Sequence, residues 1–253
     1  MTQIAPSPTA AVLIIGDEIL SGRTADTNLN TIARFLTALG IDLKEARTVG
    51  DVPGQIVEAL NALRAAHDYV FTTGGIGPTH DDITADCVAQ AFGVPLSEHP
   101  EALAILGRRY GDDFNAARRR MARVPEGGSL IANPVTDAPG FQIGNVFVMA
   151  GVPKIMTAML EDIAPRLRTG AVVHSMTLRV VGVGEGAIAD TLRAAANANR
   201  ELSFGSYPFG AGSDEEIGTN LVIRGRDRDR IEVAVGELSI AISVFGIETV
   251  VVT

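Results

Sequence analysis

An α/β fold with a mostly parallel sheet, joined to a small α+β unit, is predicted by three features of this 253-residue sequence. Short uninterrupted apolar runs recur, as at residues 10–16 (AAVLIIG) and 146–150 (VFVMA), which is the pattern of strands covered on both faces. Stretches with helical spacing of apolar residues alternate with those runs, as βαβ units with right-handed crossovers require. The core must also be aliphatic, because hydrophobic residues make up 46% of the chain while aromatics supply 5% and tryptophan is absent.

Residues 1–9 hold two prolines and small polar residues and read as a flexible leader. After the strand at 10–16, Leu29, Ile32, Leu36 and Leu39 recur at helical spacing, with Asp26 or Thr27 able to cap the start and Gly40 ending the helix. A strand over Asp42–Val49 precedes Gly50-Asp51-Val52-Pro53, and Ile56, Leu60 and Leu63 mark the next helix. Tyr69–Thr73 is a third strand, residues 74–82 its following loop, and Thr84 the expected cap of a helix containing Val88 and Phe92. Residues 98–123 read as helical, 146–150 as a buried strand, and 153–167 as a helix with Pro153 in its first turn. The first domain is placed at 10–170 and a small domain at 171–253. In the latter, strand 176–181, helix 187–198, strands 202–207 and 220–224, helix 230–245 and strand 248–252 give a βαββαβ order, ferredoxin-like or related.

Thirty acidic against 21 basic residues leave a formal charge of −9, which disfavours general attraction to nucleic acid or to an anionic membrane. No stretch reaches the about 18 apolar residues of a membrane span, and the amino terminus lacks the basic-then-apolar order of a secretory signal, so the cytoplasm is the expected compartment. The single cysteine, Cys87, excludes an intrachain disulfide and reads as a packed thiol beside Ala85, Val88 and Ala91.

In parallel sheets ligands bind beyond the carboxyl ends of the strands, and three loops converge there. Gly74, Gly75 and Gly77 follow a strand directly, and the lack of Cβ atoms would let backbone amides face one anion, although glycines serve plain tight turns equally well. Gly16, Thr79 and Thr84 flank the same edge as further candidate ligand-binding residues. His80, Asp81 and Asp82 follow the glycines, and Asp17, Glu18 and Asp51 come from neighbouring strand ends. No lysine lies in these loops. Carboxylates repel a phosphate unless a divalent cation stands between them, so a phosphorylated ligand here implies magnesium or a similar hard or borderline metal held among Asp17, Glu18, Asp51, Asp81 and Asp82. The alternative is that the acids cap helices and carry solvated charge. Asp82, Asp51 and His80 are the candidate catalytic groups, His80 hydrogen-bonding a phosphate, shuttling a proton or orienting a carboxylate. Arg23 and Asp26 either contact the ligand or pair with each other. The run Arg118-Arg119-Arg120 is a solvated helix face or the mouth of a substrate site. Gly182 to Gly186 reads as a turn, since its spacing departs from a dinucleotide loop.

Five ordered strings, GDEILSGRTADTN (16–28), TVGD (48–51), TTGGIGPTHDDIT (72–84), DAPGF (137–141) and AGVP (150–153), resemble the molybdopterin-binding domain family, most nearly its CinA (competence/damage-inducible protein A) branch. The amino-terminal domain of eukaryotic FAD synthase is similar across GGIGPTHDDIT and the AQAFG that follows. The resemblance implies a three-layer α/β/α domain whose glycine motif, here Gly74, Gly75 and Gly77, holds a ligand phosphate, with Asp17, Asp51 and Asp82 at the positions of functional acids. It further implies cobalt- or magnesium-dependent hydrolysis of a diphosphate such as ADP-ribose or FAD, with molybdopterin as the alternative ligand of a non-catalytic protein, and a homodimer or trimer. The loop lacks the Arg that molybdenum-cofactor enzymes carry near the final Asp, which argues against molybdopterin adenylation.

Overall fold

The computed structural model describes residues 6–210 and 217–252, and the chain divides into two units, Met1–Gly170 and Ala171–Thr253. In the first unit, strand β1 (Thr9–Ile15) is followed by a single turn α1 (Asp17–Leu20), then α2 (Asn28–Ala38), β2 (Asp42–Val49), α3 (Pro53–Ala66), β3 (Tyr69–Thr73) and α4 (Thr84–Phe92). Next come β4 (Leu96–Glu98), α5 (Pro100–Tyr110), α6 (Ala116–Arg119), β5 (Arg123–Pro125), β6 (Ser129–Ile131), β7 (Gly140–Ile143), β8 (Val146–Met149) and α7 (Pro153–Ile163).

The main sheet has the order β2-β1-β3-β8-β7-β6, parallel from β2 to β8 and antiparallel beyond. Along β1 the side chains alternate between two cores. Ala11, Leu13 and Ile15 pack with Ile56, Leu60 and Leu63 of α3 and Val88 of α4, whereas Ala10, Val12 and Ile14 pack with Ile32 and Leu36 of α2 and Met156 and Leu160 of α7. This double burial is why the strand reads as a continuous apolar run, and it makes the unit a three-layer α/β/α sandwich. Each fully buried Leu or Ile in these layers contributes about 1.5–3 kcal/mol over an exposed one. Because α2 and α3 lie on opposite faces, the chain leaves β1 toward β2 on one side and returns to β3 on the other. The carboxyl ends of β1 and β3 therefore flank a topological switch point, the place where open α/β sheets in general bind ligands.

Several expectations are corrected. Of the supposed leader, residues 1–5 lie outside the described residues, but Pro8 accepts a hydrogen bond from the Asp42 amide (2.9 Å) and Thr9 is already in β1, tied to Asp68. The helix expected over 98–123 is broken. Gly111, at φ +51°, ends α5, a 3₁₀ turn spans Gly111–Asp113, and Asn115 caps the short α6 by accepting from the Arg118 amide (3.1 Å). That positive φ disfavours other residues, and with ψ at −126° it takes the chain out of the helix. The antiparallel strands β6 and β7 were not anticipated, since three or four residues are too few to display a period. Thr84 is not the cap of α4; Ile83 occupies that position, without a side-chain hydrogen bond.

The second unit runs β9 (His174–Val181), α8 (Glu185–Ala198), β10 (Ser203–Phe209), β11 (Gly218–Gly225), α9 (Arg228–Ser243) and β12 (Thr249–Val252). Its antiparallel sheet, β10-β11-β9-β12, has the strand order of a ferredoxin-like βαββαβ fold. Leu178, Val180, Leu221 and Ile223 pack beneath Ile231, Val235 and Leu238 of α9. Gly182 (φ +82°) turns the chain from β9 toward α8, as the sequence implied. Among the described residues no helix is long and apolar enough to cross a membrane.

Candidate functional site

The ends of four strands are laced together at one edge of the first unit. The Gly16 amide donates to the Val49 carbonyl (3.1 Å), joining β1 to β2, and the Gly74 amide donates to the Met149 carbonyl (3.2 Å), joining β3 to β8. Asp17 and Asp51, just beyond β1 and β2, brace each other: the Asp17 amide donates to Asp51 Oδ2 (3.0 Å) and the Asp51 amide to Asp17 Oδ1 (3.3 Å). The other oxygen of each carboxylate has no hydrogen-bond partner among the described residues. Partial burial, and then the negative fields of Asp17, Glu18 and Asp81, push the Asp51 carboxyl above its ordinary range against the lowering effect of the Asp17 amide. Gly74 packs against the Ile15 carbonyl at the end of β1, so the glycine-rich loop and the first loop leave the sheet side by side, as the parallel topology requires.

Within the glycine-rich loop, most of the expected ligand groups serve the loop itself. Asp82 accepts from the Gly77 amide (2.7 Å), the Thr79 amide (2.8 Å) and the Thr79 hydroxyl (2.5 Å), so both its oxygens are engaged. The single Thr79 hydroxyl proton is shared between Asp82 and Asp81 (2.6 Å), and this contact holds the Asp81 carboxyl below its ordinary range. Thr84, fully buried, donates its hydroxyl to the Gly74 carbonyl (2.9 Å) and its amide to the Gly75 carbonyl (3.0 Å). The glycines fit this packing: a Cβ on Gly74 (φ +104°) would stand 2.1 Å from the Ile15 carbonyl oxygen, and one on Gly75 (φ +65°) 2.3 Å from Thr84 Oγ1. The anion cradled at Gly77 and Thr79 is thus the protein's own Asp82. The amides of Gly75 and Ile76 keep no acceptor among the described residues.

These facts redraw the candidate set. Asp17 and Asp51 come together; Asp82 sits in its own loop, so the three acids form no ready cluster, and among the described residues no three His, Cys, Asp or Glu side chains are arranged to hold a metal. What the structure does offer a hard cation is a pair of carboxylates with one free oxygen each, a donor set that suits magnesium when phosphoryl oxygens and water complete the shell. His80 does not enter the site. Its side chain is 99% exposed, with Asp81 at 3.8 Å. Asp26 accepts from the Asn28 and Leu29 amides (3.3 and 3.0 Å), so it caps α2 and forms no pair with Arg23. Burial lifts the Cys87 thiol to about 11, in keeping with a packed, unreactive side chain.

Two groups escaped the sequence reading in part or whole. Asn28 is buried, donates to the Gly151 carbonyl (2.7 Å) and leaves Oδ1 without a partner, while Gly151 itself lies against the Gly74 Cα. The arginine run splits. Arg119 pairs with Glu98, and Arg118 reaches the Asp113 carbonyl and stacks on Tyr110. Arg120 turns inward, donates to the Asp82 carbonyl (3.2 Å) and lines a cleft of about 10 Å³ with Gly75, Ile76, Gly77, Asp82 and Arg123. Arg123 is neutralised there by a two-point pair with Asp86 (2.8 Å each).

Comparison with known proteins accords with this architecture. Residues 11–169 match the family described as probable molybdopterin binding domain, and residues 172–249 match the FAD synthase middle domain. A CinA-like protein of Desulfovibrio desulfuricans is 34% identical over 265 residues, covering 96% of this chain and 61% of the relative. A CinA-like protein of Citrifermentans bemidjiense is 42% identical over 195 residues, covering 73% of this chain and 47% of the relative. The chain therefore spans about half the length of these curated relatives. Among solved structures, a protein CinA of unknown function from Thermoplasma acidophilum is similar at 36% identity with a TM-score of 0.60, covering 63% of this chain and 98% of the other.

Proposed function

This chain belongs to the molybdopterin-binding domain family, in its CinA branch, and we propose that its first unit is a metal-dependent hydrolase that cleaves the diphosphate linkage of a nucleotide such as ADP-ribose or FAD. The observation that carries this reading is the convergence, at one sheet edge, of a braced carboxylate pair, Asp17 and Asp51, with a glycine loop whose Gly75 and Ile76 amides remain open. Amides suit phosphoryl oxygens, and the carboxylate pair suits the cation that would neutralise them. In this reading the free oxygens of Asp17 and Asp51 hold magnesium or cobalt. The metal would neutralise the diphosphate and lower the pKa of a bound water.

Asp51, set deeper than Asp17, orients the attacking water; the exposed Asp17 completes the pair. A new P–O bond forms from water, the bridging P–O bond breaks, and the water's proton leaves to solvent, giving AMP with ribose 5-phosphate or with FMN. Asp82 acts one step away, keeping the glycine loop in shape through Gly77 and Thr79. The test is AMP release from ADP-ribose and FAD with Mg²⁺, Co²⁺ or EDTA, in the wild type and in Asp51→Asn. We expect turnover only with metal and at least a hundredfold loss in Asp51→Asn at unchanged circular dichroism. Turnover that survives EDTA or the substitution overturns the assignment.

One observation favours a second reading, a non-catalytic molybdopterin-binding protein: both Asp82 oxygens are committed to the loop, leaving two acids where three were expected. Tight molybdopterin binding by a folded protein that releases no AMP under any metal would support it.

A further inference from the structure

The glycine loop itself carries no lysine or arginine to meet a phosphate, and the fold brings a guanidinium to it from another element. Arg120 lies 38 residues beyond Asp82, in the 3₁₀ turn Arg120–Ala122 after α6, yet its guanidinium reaches the glycine loop and donates from Nη2 to the Asp82 carbonyl. Its Nε is buried and donates to nothing. No carboxylate pairs with it among the described residues, in contrast to its neighbours: Arg119 is matched by Glu98 and Arg123 by Asp86. A buried guanidinium donor left without an acceptor is costly, the more so when charged, so an acceptor is called for. The cleft it lines also presents the Gly75–Gly77 backbone, where the Gly75 and Ile76 amides are unclaimed, and at about 10 Å³ it is sized for a single oxygen.

Resting on the reading of this edge as a diphosphate site, we infer that Arg120 is a binding residue that grips one phosphoryl oxygen of the ligand between its guanidinium and the Gly75–Ile76 backbone. The rest of the ligand lies outside the cleft, over the strand ends. Arg120 thereby stands in space where the sequence motif itself carries no basic residue, and the planar guanidinium, with a donor fixed on the Asp82 carbonyl, is already oriented before the ligand arrives. The ligand class is a phosphoryl group borne on a diphosphate, with a phosphomonoester as the competing source of the same oxygen.

The experiment is calorimetric titration of the full chain with inorganic pyrophosphate and, separately, inorganic phosphate, with Mg²⁺ present and without nucleotide. Wild type, Arg120→Gln, Arg120→Lys and Arg119→Gln are compared at two salt concentrations. We expect pyrophosphate to bind more tightly than phosphate, Arg120→Gln to weaken it at least tenfold, Arg120→Lys to recover part of the loss, and Arg119→Gln, which removes the same charge outside the cleft, to stay within about twofold. Equal affinity in Arg120→Gln, equal losses in both glutamine variants, or no binding by the wild type overturns the inference. Stronger binding of phosphate than pyrophosphate overturns the diphosphate assignment. Should Arg120→Gln fail to fold, Arg120→Lys decides: it keeps the charge and loses the fork, so unaltered binding in that variant overturns a role for Nε. Because nothing here depends on turnover, an inactive but pyrophosphate-binding protein would sink the hydrolase reading and leave Arg120 in place.

Discussion

A carboxylate at a strand end ordinarily ionises freely into water, but Asp51 is half-buried with Asp17, Glu18 and Asp81 around it, so its folded-state pKa lies above the ordinary 3.8. The folded protein therefore binds that proton more tightly than the unfolded chain does. The resulting stabilisation is complete below the unfolded value and is lost as pH rises through the folded one, leaving ionised Asp51 a cost at neutral pH. Asp51→Asn, whose amide oxygen can still accept from the Asp17 amide, is thus expected to melt higher than wild type at pH 7 in EDTA and to lose that advantage below pH about 4. A difference in melting temperature that does not change with pH would contradict the origin assigned to the shift. Sequence spacing placed Asp17 and Asp51 at one edge correctly. It could not show that Asp82 would turn back on Gly77 and Thr79, because a carboxylate three residues from a threonine is compatible with a loop brace and with an outward ligand alike.

The glycine-rich loop shows how little freedom the connecting elements have. Gly74 and Gly75 both hold positive φ, and any side chain at Gly74 would strike the Ile15 backbone of the neighbouring strand. Gly74→Ala should accordingly cost at least about 2 kcal/mol, from strain and a forced shift of β1 against β3. Chemical denaturation measures this, and a loss under about 0.5 kcal/mol would mean that the loop is looser than drawn. The helices and central strands were legible because each carries several turns of period or a full apolar run. Residues 98–123 were not, since their apolar residues suit one helix while Gly111 and the Asn115 cap divide it, and β4 to β7 are too short for a pattern to register.

Each of the two units has its own core, with Leu13, Leu60 and Met156 buried in the first and Leu178, Ile223 and Leu238 in the second. Leu238→Ala is expected to destabilise the second unit by about 2–5 kcal/mol and, in calorimetry of the full chain, to move one transition while a second stays in place. A single transition shifted as a whole would show that the units unfold together. The order of the central strands and long helices, the parallel α/β class of the first unit and the loops that would form its site were determined by the sequence itself, because hydrophobic period and glycine placement are local properties. Tertiary structure alone decided which of the polar residues remain available: that Asp82, Thr79 and Thr84 are spent within the loop, that His80 stands in solvent, and that Arg120 returns from 38 residues away. The reason is physical, since hydrogen-bond partnership depends on where a chain comes back in space, and no spacing along the sequence encodes that return.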